Sequence, residues 1–266
     1  MNKQLSKQII YGGGFLSVVL LILTASYLLW FRSEPSCFDG RWNQEESGVD
    51  CGGPCQDCEI KTLVPISERW LKYFSVDGKT VITAEIKNSN TDYAASGLSY
   101  VFDIYGKDGS KIKSIARKSF IYAEEIKCLF EQADVKFQEI GEIKISFSAL
   151  DWKRKGEFSQ PKIQKRQLIT SFQDNQTGAE TSGTVVNDNP FSLSKLRIIG
   201  FLLNKNGMEL GVSKTELENL RAFEERPFKI IFPKNISLTS GDSSGSSLDF
   251  NLADPNKTKI CIEASR

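Results

Sequence analysis

Histidine is absent from the 266 residues of this chain, and methionine occurs only twice. Without histidine the chain lacks the commonest general base and the commonest metal ligand, and every Ser–His or Cys–His nucleophile system is excluded. The net charge is only +1, so no excess of basic charge points to nucleic acid. Carboxylate and Ser–Lys chemistry stay open. An enzyme is therefore disfavoured, and no nucleic-acid partner is expected.

Charged side chains are also missing from residues 9–31. As a helix, this stretch would span roughly 34 Å, which is enough to cross a hydrocarbon core of about 30 Å. Tyr11, Tyr27 and Trp30 lie near its ends, where amphipathic rings favour the membrane interface. A cleaved signal peptide is the alternative, but its apolar run is typically about 7–15 residues. We therefore predict a transmembrane helix that anchors the protein in a membrane.

The charges flanking this stretch predict its orientation. Lys3 and Lys7 precede it, and Arg32 follows it with Glu34 close by. The positive-inside rule then gives a cytoplasmic tail at residues 1–8 and an extracytoplasmic C-terminal part. The expected localisation is that of a single-pass membrane protein with its N-terminus in the cytoplasm.

Four of the six cysteines lie in residues 32–61, here called the neck: Cys37, Cys51, Cys55 and Cys58. A segment this short and polar cannot bury a core, and exported thiols are normally oxidised. We predict two disulfides within the neck, and the sequence does not choose among the three pairings. The spacing of Cys55 and Cys58 also suits zinc, which is the less favoured alternative.

The neck also carries oxygen-bearing side chains at regular spacing, namely Asp39, Asn43, Glu46 and Asp50. Such groups suit a hard cation, so calcium is a candidate ligand and no other cofactor is expected. The same residue types also make turns without any ion, which is the alternative.

The neck resembles a short module of exported bacterial proteins. The module has the pattern Cys-x-Asp-Gly-x-x-Asn-x-x-Glu-x-x-Val-Asp-Cys-Gly-Gly-x-Cys-x-x-Cys, and every element of it is present between Cys37 and Cys58. The resemblance covers about 22 residues of the chain and implies an extracytoplasmic protein.

The remainder of the chain has the pattern of β-strands. Apolar and polar residues alternate over 82–87, 98–104 and 143–149, as in half-buried strands. Asp-Gly or Asn-Gly pairs, which are strong hairpin signals, occur at 77–78, 108–109 and 206–207.

Internal similarity indicates two copies of one unit. Residues 84–90 line up with 183–189, 98–109 with 196–207, and 123–125 with 223–225. Two copies of about 95 residues predict an all-β fold with two tandem immunoglobulin-like β-sandwich domains, 62–152 and 167–266, joined by a basic linker at 153–166. Separate cores are expected, one containing Ile86, Phe102, Ile145 and Phe147, the other containing Val185, Leu196, Leu202, Ile230, Phe250 and Ile260.

The first copy resembles a bacterial envelope domain family named for a Phe-x-Leu-Tyr-Asp strand. The matching residues are Phe102-Asp-Ile-Tyr-Gly106, which lack the final Asp, and the second copy has Gly200-Phe-Leu-Leu-Asn204 there. Members of that family are mostly exported or anchored, so the resemblance implies an interaction or structural module.

The last two cysteines and two polar segments carry further expectations. Cys128 shares strand parity with Ile126 and Phe130 and is predicted to face the first core. Cys261 has the opposite parity to its apolar neighbours, so we expect it to be unpaired with Cys128 and open to an intermolecular bridge. The basic linker is expected to be solvated, with attraction to anionic lipid or wall polymer as the alternative. The Ser/Gly-rich stretch 237–247 is predicted to be a mobile insertion.

The leading functional hypothesis is a membrane-anchored extracytoplasmic binding or structural module of the cell envelope, without catalysis. Its partner would be an unknown envelope protein or polymer. One alternative is a subunit of an envelope export or surface-filament assembly. A carboxylate-based envelope hydrolase is the other, using acids such as Glu124, Glu125, Glu224 and Glu225. Their recurrence at turn positions favours a structural role.

Overall fold

A computed structural model describes residues 3–30, 36–43, 45–148, 151–172, 178–233, 236–238 and 252–265. The chain divides into two compact units, Met1–Leu63 and Val64–Arg266. Within the first unit, helix α1 covers Lys3–Trp30. Its segment Ile9–Tyr27 is long and apolar enough to cross a membrane, and a signal sequence would have the same character.

The neck is built from turns, with an isolated bridge between Gly48 and Cys51 and a 3₁₀ turn at Cys58–Thr62. Gly52 and Gly53 both have positive φ, at 78° and 59°. A Cβ on Gly53 would lie 2.4 Å from the carbonyl oxygen of Glu45, so this close approach requires glycine.

The first repeat is a β-sandwich of two antiparallel sheets. One sheet has the order β1-β2-β5, and the other has the order β4-β3-β6 with β7 also paired to β3. The strands are β1 (Ser67–Val76), β2 (Lys79–Lys87), β3 (Tyr93–Gly106), β4 (Lys111–Ile121), β5 (Ile126–Ala133), β6 (Ile140–Ser148) and β7 (Trp152–Arg154). A 3₁₀ turn at Phe137–Glu139 precedes β6.

The second repeat has the same strand order. Its sheets are β8-β9-β12 and β11-β10-β14, so β8 corresponds to β1, β10 to β3 and β14 to β6. The strands are β8 (Ile163–Phe172), β9 (Gly178–Asn187), β10 (Leu193–Asn204), β11 (Glu209–Leu220), β12 (Glu225–Pro233), β13 (Ile236–Leu238) and β14 (Ala253–Ser265). The predicted all-β fold with an N-terminal helix is confirmed.

The predicted hairpin turns are also present. Asp77 and Gly78 join β1 to β2 with φ values of 49° and 76°, the combination that a two-residue hairpin turn requires. Gly109 and Gly207 have φ values of 78° and 81° in the corresponding turns of the two repeats. These positions support the register of the predicted duplication.

Each sandwich buries the apolar residues predicted for it. Ile86 and Phe102 are fully buried in the first core, and Ile145 and Phe147 pack against that core. Val185, Leu196, Leu202, Ile230 and Ile260 belong to the second core, whereas Phe250 lies outside the described residues. Of the Ser/Gly-rich stretch, only Ser237 and Leu238 are described, and both belong to β13.

Strands β2 and β10 are buried on both faces. Val81, Thr83 and Glu85 are as inaccessible as Ile82 and Ala84, although successive side chains of a strand point to opposite faces. In β10, the run 198–202 is likewise buried throughout. The outer face of the sheet β1-β2-β5 packs on the outer face of the sheet β11-β10-β14. Strands β2 and β10 are therefore covered on both faces. The four sheets of residues 64–266 form a stack.

Two core clusters are present and hold the predicted residues, but the second cluster is not confined to the second repeat. Phe74, Val81 and Cys128 of the first repeat belong to the core cluster of the second. Strand β13 follows the second repeat's β12 but pairs with β1, with Phe74 opposite Leu238. The repeats join in this way because β10 is apolar on both faces and needs cover on each, and the outer face of β2, with Val81, Thr83 and Glu85, is buried against it.

The basic linker is only partly solvated. Most of its side chains are exposed, but Pro161 is buried and the ring of Phe158 stacks on Tyr122 at 4.9 Å between centroids. Trp152–Arg154 pairs with Tyr93–Ala95 as β7. The segment is therefore attached to the first sandwich along part of its length.

Candidate functional site

The four neck cysteines form two disulfides, Cys37–Cys55 and Cys51–Cys58. Both bridges lie inside the segment predicted to hold them, and the structure selects one of the three possible pairings. The Glu46 carboxylate lies beside the sulfurs of Cys37 and Cys55. The zinc alternative concerned Cys55 and Cys58, and both are bonded in these disulfides, so they offer no thiolate to a metal.

Three of the four oxygen-bearing side chains of the neck, Asp39, Glu46 and Asp50, accept hydrogen bonds within it, and the fourth, Asn43, donates one. Asp50 Oδ1 accepts from the backbone N–H groups of Asp39 and Gly40, at 3.0 Å each. Glu46 Oε2 accepts from the N–H groups of Asn43 and Asp50, at 3.2 Å each. Asp39 Oδ2 accepts from Asn43 Nδ2 at 2.9 Å, and this bond lowers the pKa of the Asp39 carboxyl.

These bonds give the neck carboxylates a turn-forming role that needs no ion. The buried Oδ1 atom of Asn43 has no hydrogen-bond partner among the described residues. Calcium takes about six to eight oxygen ligands, and the carboxylates here already serve several N–H donors. The calcium hypothesis stays a prediction.

A pair of asparagines forms the same buried corner in each repeat: Asn88 with Asn90, and Asn187 with Asn189. In both pairs the second asparagine donates from Nδ2 to Oδ1 of the first, at 2.9 and 2.8 Å. Their Nδ2 groups also donate to backbone carbonyls, namely those of Tyr93, Tyr122 and Val64 in the first repeat, and Phe191, Leu220, Arg221 and Lys162 in the second. These asparagines align between the two copies in the sequence, but their role was not predicted, although the repeated Asn-x-Asn spacing could have indicated it.

A glutamate closes the turn before β5 and before β12. Glu125 Oε2 accepts from the N–H of Tyr122, and Glu224 Oε2 accepts from the N–H of Arg221, both at 2.7 Å. The equivalent of Glu125 is therefore Glu224, and Glu124 corresponds to Phe223 at φ values of 59° and 58°. The sequence alignment of these turns was wrong by one residue. Their recurrence is structural, since each glutamate caps its own turn.

The two capping glutamates should respond oppositely to pH. Burial raises the pKa of Glu125, while the Arg221 N–H and the Arg226 guanidinium lower the pKa of Glu224, both relative to 4.5. The contribution of Glu125 to stability is full below pH 4.5 and is lost as the pH rises through its folded pKa. The contribution of Glu224 is present above pH 4.5 and is lost as the pH falls through its folded pKa.

Glu125→Gln and Glu224→Gln provide the test, with urea unfolding measured between pH 4 and 7. We expect Glu125→Gln to become less destabilising as the pH rises and Glu224→Gln to become more destabilising. The two variants serve as mutual controls, because each keeps a side-chain oxygen for the cap. The same direction of pH dependence in both would contradict this assignment.

The joined faces of the repeats hold an ionic cluster around one buried carboxylate. Glu85, only 2% exposed, pairs with Arg69 at 2.5 Å and with Lys259 of the second repeat. Trp70 meets Phe201 edge-on at 5.6 Å between centroids, and Lys259 lies over both rings. The buried carboxylate is thus neutralised from both repeats, as a buried charge requires.

A second set of contacts crosses the same interface. Lys72 pairs with Glu209 at 2.6 Å, and Lys127 pairs with Glu263 at 3.4 Å. Burial lowers the pKa of Lys127, whose ammonium also donates to the Phe120 carbonyl at 2.8 Å. These ion pairs fix the register in which the two faces meet.

Cys128 and Cys261 are joined by a disulfide, which links β5 to β14 across the repeats. The expectation that they stay unpaired is wrong, and so is the expected role of Cys261 in an intermolecular bridge. Cys128 also belongs to the shared cluster and not to the first core. The physical reason is that both side chains point to outer faces, and these faces are the ones that pack together.

A cleft of about 360 Å³ opens beside this disulfide, on the flank where β14, β8 and the start of β5 meet. Its lining includes Glu85, Glu125, Lys165 and Lys259, together with apolar side chains such as Ile163. Lys165 donates to the backbone carbonyl of Ile260 at 3.1 Å. The cleft therefore combines apolar walls with charged groups and with the backbone of β14.

Comparison with protein-family models and with curated proteins gives no match. Among solved structures, the crystal structure of red sea bream transglutaminase is similar over 77% of this chain and 32% of that one, at 11% identity and a TM-score of 0.24. The chain spans about a third of that structure's length, and a likeness this weak carries no argument about fold or activity.

Proposed function

We propose that this protein is a membrane-anchored, extracytoplasmic binding or structural module of the cell envelope that works without catalysis. The observation that carries the proposal is the combination of the apolar helix with three disulfides downstream of it. Disulfides persist in oxidising compartments and are rare in the cytosol. The N-terminal tail is then cytoplasmic, and the stacked sheets are exported.

The way in which the repeats join supports a display role. A disulfide, the β13–β1 pairing and the Glu85 cluster hold the two sandwiches in one arrangement. A fixed pair of sandwiches presents its outer strands and clefts in a constant geometry, which suits recognition or support. The immunoglobulin-like assignment of each sandwich belongs to this proposal.

A subunit of an export or surface-filament assembly is the second candidate. The observation that favours it is the pairing of β13 with the outer strand β1 of the other repeat. It means that an outer strand of this fold accepts a strand from elsewhere in the chain, and assemblies use the same contact between subunits. The hydrolase alternative is weaker, because Glu125 and Glu224 cap turns and Glu85 is paired with two cations.

Cysteine labelling in intact spheroplasts tests the topology. All six native cysteines are paired, so a new cysteine is a unique thiol. We expect Lys107→Cys, at an exposed position in the β3–β4 turn, to react with a membrane-impermeant maleimide before lysis. Lys7→Cys is the matched control and should react only after permeabilisation. The reverse pattern would place the sandwiches in the cytoplasm and overturn the proposal.

A further inference from the structure

One edge of β14 is left open by the strands that the structure describes. The strand pairs with β10 along one side, and none of the strands that the structure describes pairs with it on the other. In an antiparallel ladder, alternate residues direct both backbone groups away from the partner. The carbonyls of Ile260 and Ala264 accept side-chain bonds from Lys165 and Tyr122, so residues of this parity face the open side. Their N–H groups and that of Ile262 face the same way.

Clefts run along this open edge. The cleft beside residues 259–264 has a volume of about 360 Å³, and a second cleft beside residues 255–258 has a similar volume. A hydrogen bond of 2.6 Å between Oγ1 of Thr170 and Oγ1 of Thr258 connects β8 to β14 there. Exposed apolar side chains border both clefts: Ile126 at 46%, Leu168 at 41% and Ile169 at 63%. Backbone groups and apolar walls thus lie side by side, as strand addition requires.

The rim of the groove is basic. The segment 153–166 contains six basic residues and one acidic residue, and it contributes Pro161, Ile163 and Lys165 to the lining. Among the described residues, Lys162 and Lys165 have no carboxylate partner. Of the two carboxylates that line the first cleft, Glu85 is paired with Arg69 and Lys259, and Glu125 accepts from the N–H of Tyr122. The positive charge left on this rim complements an acidic partner.

We propose that the open edge of β14 binds an extended, acidic peptide segment of a partner protein as an additional strand. Main-chain hydrogen bonds to β14 would provide affinity. Apolar side chains on one face of the segment would enter the clefts, and carboxylates would meet the basic rim. In the free protein Lys165 covers the Ile260 carbonyl, as charged side chains commonly protect a strand edge, and the Tyr122 hydroxyl covers the Ala264 carbonyl. Both side chains move aside when the segment binds.

The test uses the full chain in detergent micelles and three eight-residue peptides, measured by fluorescence anisotropy. The first alternates glutamate with valine, the second replaces each glutamate with lysine, and the third is the acidic peptide N-methylated at every peptide bond. We expect the acidic peptide to bind, and the other two to bind at least about ten-fold more weakly. The N-methylated peptide keeps side chains and charge but loses the N–H donors that pair with a strand.

Two variants locate the site. Ile262→Pro removes an N–H on the open side, where proline is tolerated in an edge strand, and should weaken the acidic peptide about ten-fold. Lys162→Glu should weaken it several-fold, whereas Lys113→Glu, an exposed position on β4, should leave it unchanged. If Ile262→Pro fails to fold, the N-methylated peptide still tests strand pairing on the unaltered protein.

Three results would overturn the inference: no binding of the acidic peptide at 1 mM, equal binding of the N-methylated peptide, or equal loss with Lys113→Glu. Competition by dextran sulfate combined with insensitivity to N-methylation would identify a surface for polyanionic polymers instead. The inference rests on the proposed binding role and gives its partner class. Because the peptide assay does not depend on topology, its failure would leave the membrane placement standing, and the labelling experiment tests that placement alone.

Discussion

Replacing Cys128 and Cys261 together with alanine should lower the free energy of unfolding by about 4–5 kcal/mol. The bond joins residues separated by 133 positions. In the chain-entropy model, a bridge that closes a loop of about 100 residues stabilises the folded state by about 4.7 kcal/mol, because the unfolded chain loses that much freedom. Equilibrium unfolding in urea without reductant, followed by tryptophan fluorescence, measures the loss. Trp70 is a suitable reporter, since it packs against Phe201 across the interface.

The Cys51–Cys58 pair is the control for this experiment. Its residues are only 7 positions apart, and it lies in the unit formed by residues 1–63. The double alanine variant at these positions should leave the unfolding of residues 64–266 almost unchanged. No loss from the Cys128 and Cys261 variant would show that the bridge across the repeats does not stabilise the stack. An equal loss from both double variants would contradict the assignment of the effect to that bridge.

The sequence predicted features that depend on a few neighbouring residues. The Asp-Gly and Asn-Gly turns, the alternating strands and the confinement of two disulfides to the neck each follow from local patterns. The core residues of each sandwich also followed, because period-two alternation identifies the inward face of a strand. The pairing of the neck cysteines did not follow, since it depends on how the turns fold around Glu46 and Asp50.

The contact between the repeats could not be derived from alternation. Strand parity correctly predicted that Cys261 and Ile260 point to opposite faces of β14. It also placed Cys128 in the first core, but the residue of β5 that lies in that core is Leu129. A strand covered on both faces buries residues of either parity, so parity no longer identifies the core. A signal was present nonetheless, because the run 198–203 is almost entirely apolar, which is typical of a strand covered on both faces.

Replacing Phe74 with alanine should destabilise both repeats together, by about 3–5 kcal/mol. Phe74 belongs to β1 of the first repeat, is fully buried and lies in the core cluster of the second. Because a single domain typically has only about 5–15 kcal/mol of stability, a loss of this size is easily measured. Calorimetry of the full chain should show one transition for residues 64–266, displaced as a whole to lower temperature.

Phe102→Ala provides the matched comparison. Phe102 is also a fully buried phenylalanine, but it lies inside the first sandwich, away from the interface. If the stack unfolds as one unit, this variant should displace the same single transition by a similar amount, because any loss inside one sandwich is shared through the interface. Two resolved transitions, with Phe102→Ala displacing only one, would mean that the Phe74 cluster, the β13–β1 pairing and the disulfide do not couple the repeats.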